Sequence, residues 1–432
     1  IILMFTQIKI ILFLVLCPIL LFSQLNFNSH ITVSSGNDGF GRPRIALDAN
    51  NDPFIVYRNN MSPKTIRISK WNGNGFASPY DITTIGIQPS SQDGPEIAAK
   101  GDTIYVVFTS SATTHSSIMM IRSFDGGITF SDTIRVSEND SPQICRMGNI
   151  AINEQGHPVV SYMKNDLSFS TAEQMVRTSN DFGLTFGTAV NSTLNSPDEP
   201  CDCCKASLLV SGNNIYVLFR NNENNKRNSY VSKSSNYGAS FDLVNEIDDY
   251  DWILNSCPSS VSRGVFIDDS LLIVKKSGAT GNNEIVLTSI SNVTLDYSYN
   301  LNIDEIPNVN QRYPEISNSS DSIFIVWQDD RSGGQNCFLS YSYGGIKNLS
   351  TGISFTDSTF AGPKFNPHLT FKNGILHLVY VDFLDSSIKY VRAYVSSTTN
   401  IKEIEYFMPN RVNFDILGRK NNHGFNKLNF LD

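Results

Sequence analysis

The chain has 432 residues, of which 40% are hydrophobic, 11% aromatic and only 17% charged, and its net charge is −8. An acidic balance argues against a nucleic-acid binder, whose phosphate-reading surface leaves a basic excess. A charged share below the roughly 25% of an average soluble domain, with many aromatics, points to β structure, and a chain of this length buries a sizeable core.

The first element is an export signal. After Met4, Lys9 precedes an apolar run from Ile10 to Phe22 that ends in small and polar residues, the layout of a secretory signal peptide. Residues 1–24 are read as that signal, with cleavage near Gln24. The run is shorter than the about 20 residues a spanning helix needs, and no later stretch approaches that length, so no transmembrane segment is expected.

From there a repeat organises the chain. Short apolar strands open each unit: PRIAL at Pro43, PEIAA at Pro95, GNIAI at Gly148, ASLLV at Ala206, GVFI at Gly264, PEIS at Pro314 and PHLTF at Pro367. Taking Ile45, Ile97, Ile150, Leu208, Val265, Ile316 and Leu369 as equivalent, the gaps are 52, 53, 58, 57, 51 and 53 residues. A period near fifty signals a propeller or solenoid. Each unit continues with a near-continuous apolar strand such as IYVVF from Ile104 or IFIVW from Ile323, then an alternating third strand and a weaker fourth. Buried inner strands beside more polar outer ones suit four-stranded blades packed between neighbours. The expected fold is an all-β propeller over 30–396 with seven blades, or six if one weak unit is an insertion. Ile31–Ser35 looks like an outer strand without its own blade, and the seventh unit has only three clear strands. Pairing the two closes the ring and removes an open edge.

Between third and fourth strands the chain reads Ser123, Asp125, Gly127, Thr129, Phe130 and again Ser179, Asp181, Gly183, Thr185, Phe186, with a degenerate copy at Ser234, Asn236, Gly238, Ser240 and Phe241. Asp accepts backbone hydrogen bonds, Gly permits the turn and the aromatic packs between blades, so these residues are structural. The S-x-D-x-G-x-T-F pattern resembles the Asp-box, or BNR repeat, of sialidase-like propellers. That resemblance implies fold; activity within such propellers varies from glycosidases to lectin-like modules.

In sialidase-like proteins the rim opposite the Asp-boxes carries the site. Here that rim is expected to hold Arg42, Arg44, Arg58, Arg146, Arg220, Arg263, Arg312 and Arg331, with Asp93, Glu223, Asp329, Asp330 and Asp382. Of these, Arg42, Arg44, Arg146, Arg220 and Arg312 are the ligand-binding candidates, because guanidinium grips the oxygens of a carboxylate or another anion two at a time. The resemblance also implies a carboxylate-binding arginine triad, a Tyr nucleophile activated by a Glu, and an Asp acid/base. Asp93 and Glu223 are the catalytic candidates, and no Tyr is assignable. Arg42-Pro43-Arg44-Ile45 matches the family's R-I-P motif only in part.

Outside the signal there are six cysteines, and Cys201, Cys203 and Cys204 precede blade four as Cys257 precedes blade five. In an exported chain they read as disulfides, with Cys145 also within reach, and a bridge from Cys257 to one of the three would staple adjacent loops. The alternative for Cys201, Cys203, Cys204 and Cys257 is a soft-metal site; no other cofactor is indicated. After Ser396, the stretch Val412–Lys420 resembles the C-terminal sorting domain of the Bacteroidetes type IX secretion system, which implies that machinery as a partner and a secreted or outer-surface destination. Three functions stay open: recognition of a glycan or other anionic ligand, exo-glycosidase action of sialidase type, and soft-metal handling.

Overall fold

The computed structural model describes residues 24–34, 42–59, 65–82, 93–111, 115–138, 143–320, 322–358 and 362–396. The signal reading over 1–23 and the sorting-tail reading over 397–432 lie outside the described residues.

Seven antiparallel sheets make the fold, which is a seven-bladed β-propeller. Blades one to six span 44–82, 96–135, 144–191, 207–246, 263–302 and 312–354, each with four strands in sequence order. Among the described residues the only helical segment is the 3₁₀ turn Ile346–Asn348, and no helix is long and apolar enough to cross a membrane.

The gradient across each blade follows the sequence. The second strands are apolar on both faces and buried along their length, as in Pro53–Arg58 and Ser322–Asp329. The fourth strands are short or exposed, as in Tyr297–Asn302. Side chains from adjacent second strands interleave between blades: Phe54, Val56, Ile104, Val106 and Phe108 form one such cluster of blades one and two.

Blade seven has three strands of its own, Lys364–Lys372, Ile375–Asp382 and Ser387–Ser396. Ile31–Ser34 pairs antiparallel with the last of them, Ile31 opposite Tyr390 and Ser34 opposite Ile388. The ring is thus closed by the N-terminal strand, as the sequence predicts. A further strand, Gln24–Phe27, which the sequence reading placed at the signal's end, pairs with the same partner.

The turns between third and fourth strands are held by their own side chains. Asp125 accepts from the Ile128 and Thr129 amides at 3.0 Å and from Thr129 Oγ1 at 2.6 Å, and Asp181 repeats this with Thr185. Those hydrogen bonds, to the Thr129 and Thr185 side chains first, hold both carboxyls far below their ordinary value. Gly127 adopts φ +75°, and a Cβ there would lie 2.4 Å from the Phe54 ring.

A second recurrent device opens the first strands. Arg42, Met147, Tyr313 and Asn366 have φ of 43°, 59°, 53° and 50°. Each is followed by Pro or Gly and then by Arg44, Asn149, Glu315 or His368. The ladder slips by bulges between Arg146 and Asn149, Arg312 and Glu315, and Phe365 and His368. Bulges of this kind re-aim side chains, and here the re-aimed set faces the propeller axis.

Candidate functional site

In six of the seven blades the residue preceding the equivalenced apolar position is polar, and in blade five, where Gly264 stands there, Arg263 one residue earlier takes its place in a polar column around the axis. Glu96, Asn149, Ser207, Glu315 and His368, with Arg263, line a central cavity of about 530 Å³. At its mouth on the rim opposite the Ser-x-Asp-x-Gly-x-Thr turns, these groups lock together. Arg44 lies 3.2 Å from Glu96 and 3.5 Å from Glu315. Arg263 lies 3.1 Å from Glu96 and 2.9 Å from Glu315, and Lys205 2.9 Å from Glu96. Burial works to raise the Glu96 carboxyl, but Arg263, Arg44 and Lys205 hold it well below its ordinary value. Burial brings Lys205 down to about 8 even beside Glu96. His368 approaches Glu315 at 3.8 Å, yet this is not an ion pair, because burial, Arg44 and Arg263 push its imidazole far toward the neutral form. Its Nδ1 accepts the Ile45 amide at 3.3 Å.

Arg44 and Arg263 are therefore engaged by two glutamates. Arg42 is 4% exposed and sits 5.5 Å over the Tyr313 ring, and burial and Arg44 lower it to about 10. Arg146 donates to the Asp202 carbonyl at 2.6 Å and lies over Phe169. Arg220 donates to the Arg227 and Lys276 carbonyls and stacks 4.9 Å over Trp252. Arg331 is held by Asp329 at 2.6 Å and Asp304 at 2.5 Å. Asp330 accepts the Asn310 amide, and Asp382 pairs with Lys364 at 2.9 Å. Buried Arg58 feels the charge of Asp93.

Arg312 differs: it is exposed and borders a cavity of about 540 Å³ over blade five. The loop from blade four supplies Trp252, Cys257 and Ser259 to its wall, blade five Lys276 and Asn283, and blade six Tyr313. Lys276 lies 5.3 Å over the Trp252 ring and donates to the Pro258 carbonyl at 2.5 Å. Burial, then Arg220 and Arg312, lower its ammonium to about 7. Gly278 lets Trp252 close the wall, since a Cβ there would come within 2.8 Å of the indole. The cavity is thus bordered by two cations and two aromatics, suited to an anionic or sugar-like ligand.

Lys276, Trp252, Tyr313, Lys205, Glu96 and Glu315 were not singled out by sequence reading. For the glutamates a signal existed, the Pro-Glu dipeptides that recur one residue before the equivalenced positions. For Trp252 and Lys276, which come from loops of unequal length, none did.

Among the catalytic candidates, Glu223 pairs with Lys226 at 3.1 Å, and Asp93 is buried at the lead-in to blade two. Neither borders the cavity. A Tyr–Glu couple does occur, Tyr230 donating to Glu246 at 2.7 Å, but the ring is 4% exposed beneath Phe219. Burial and then Glu246 push its phenol far up, away from the phenolate form.

Cys203 and Cys257 form a disulfide across 54 residues, the staple between the lead-ins of blades four and five. Cys201 and Cys204 carry no bridge and are buried. The Cys204 thiol hydrogen-bonds to Cys201 and lowers it against burial, with Arg227 assisting. Cys145 does not join the group: it packs with Ile118, Met120 and Tyr162 between blades two and three, where burial raises its thiol to about 11.

No protein-family profile and no curated protein matches the chain. Solved structures do. A PL25 ulvan lyase bound to -[GlcA(1-4)Rha3S]- is 10% identical with a TM-score of 0.54, over 84% of this chain and 95% of that one. A protein of unknown function from Dyadobacter fermentans DSM 18053 is 11% identical at 0.51, over 86% and 99%. The Hadza microbial sialidase Hz136 is 15% identical at 0.48; the match covers 69% of this chain and 66% of that one. At these identities the first two likenesses speak for the propeller fold alone.

Proposed function

We propose that the protein recognises an anionic glycan in the blade-five cavity, on the rim opposite the Ser-x-Asp-x-Gly-x-Thr turns. The observation that carries this reading is the placing of Lys276 and exposed Arg312 beside Trp252 and Tyr313 around one cavity of about 540 Å³. Two cations suit a carboxylate or sulfate, and the aromatic surfaces suit a sugar ring. Arg44 and Arg263 support the site indirectly, because their salt bridges fix the lead-ins on which it is built. The five ligand-binding candidates thereby divide. Arg312 meets ligand, Arg220 backs Trp252, and Arg42, Arg44 and Arg146 hold loops. The signal and tail readings make this a protein exported through type IX machinery to the outer surface or the medium.

A glycan array carrying sialylated and sulfated uronate-containing oligosaccharides, with calorimetry on the hits, tests the reading. Capture of anionic glycans that Arg312→Ala weakens supports it, and indifference to glycan charge overturns it. Release of free sugar in the same wells would instead mark an exo-glycosidase.

A further inference from the structure

Cys201 and Cys204 do not line the blade-five cavity. The sulfur atoms of Cys201, Cys203 and Cys204 lie within 4.8 Å of one another. Cys203 is joined to Cys257, which leaves two thiols in Cys-x-x-Cys spacing. Their turn is tightly built: the Cys204 amide donates to the Cys201 carbonyl at 2.9 Å, and the Cys201 amide donates to the Arg220 carbonyl at 2.7 Å. The two side chains are 0% and 3% exposed. The Cys203 sulfur, 3.5 Å from that of Cys201, walls one side. Arg220 and Arg227, both buried, are close enough to act on the Cys201 sulfur.

We propose that Cys201 and Cys204 bind one soft monovalent metal ion, copper(I), as a two-coordinate bis-thiolate beside the intact disulfide. On binding, two S–H protons leave to solvent and two metal–sulfur bonds form, with no electron transferred. The complex carries a net charge of about −1, which the two guanidiniums offset; an isolated buried anion would be costly. Soft thiolates select copper(I). Structural zinc asks for four ligands in a tetrahedron, and two of the four sulfurs here are bonded to each other.

The test uses the full chain, anaerobically, with copper(I) supplied as its acetonitrile complex and competed against bicinchoninate. One equivalent should be retained per chain, with X-ray absorption showing two sulfur neighbours. Retention should be lost in Cys201→Ser and Cys204→Ser and kept in Cys145→Ser and Cys337→Ser. Should the cluster variants misfold, silver(I) should protect Cys201 and Cys204 of the unaltered chain from alkylation, as mapped by peptide mass spectrometry. No retained copper, retention unchanged in both cluster variants, four-sulfur coordination, or a Cys201–Cys204 disulfide in the folded protein would each overturn the proposal.

Discussion

Lys276 and Glu96 carry their charges into burial under opposite terms. Glu96 meets three cations, so neutralising it deprives Lys205 of its carboxylate and leaves Arg44 and Arg263 to share Glu315 alone. Breaking a buried pair of this kind costs about 3–5 kcal/mol, and Glu96→Gln should lose about that much in urea unfolding at pH 7. Because the folded carboxyl titrates well below its unfolded value, its stabilisation is complete above about pH 4.3 and fades as pH falls. The gap between parent and variant should therefore narrow in acid, and a gap constant from pH 7 to pH 3 would refute the ion cluster. Lys276 forms no salt bridge among the described residues and is held at about 7 by burial, Arg220 and Arg312. Affinity for an anionic glycan should thus fall as pH rises from 6 to 8. Lys276→Met should remove that dependence and weaken binding about tenfold at pH 6, the size of one charge-assisted hydrogen bond; isothermal titration reads both.

At the level of strands and loops, the staple between blades four and five is the clearest lever. In the chain-entropy account, closing a loop of 54 residues stabilises by about 4 kcal/mol. Replacing Cys203 and Cys257 together by Ser should lower the thermal midpoint accordingly, and glycan affinity should fall as well, since Cys257 lines the cavity. Unchanged affinity in the folded double variant would detach the staple from the site. The strands and this staple were largely legible in the sequence, because each repeats a local pattern: an apolar second strand, a Ser-x-Asp-x-Gly-x-Thr turn, cysteines on adjacent lead-ins. Which of Cys201, Cys203 and Cys204 would pair with Cys257 was not, since three thiols within four residues differ only in the turn that aims them. The rim arginines were legible as a group but not in their roles. Arg44 meets its partners Glu96 and Glu315 through contacts that span several blades, and only ring geometry distinguishes it from Arg312.

For the molecule as a whole, closure is the decisive interaction. Ile31–Ser34 supplies the outer strand of a blade whose other strands begin at Lys364, so blade seven is incomplete until the chain ends meet. Deleting 24–34 should expose Val33's partners Val379, Val381, Ile388 and Tyr390 along an open edge. The expected outcome is a lower midpoint with aggregation, read by calorimetry and light scattering; an unchanged midpoint would mean that the ring holds without its clasp. The same arrangement has a mechanical consequence. Gln24–Phe27 and Ile31–Ser34 both pair with Ser387–Ser396, so a pull applied between residues 24 and 396 loads these outer pairings of blade seven. The force bypasses the other six blades, and a molecule held by its C-terminal end would yield first by peeling this clasp.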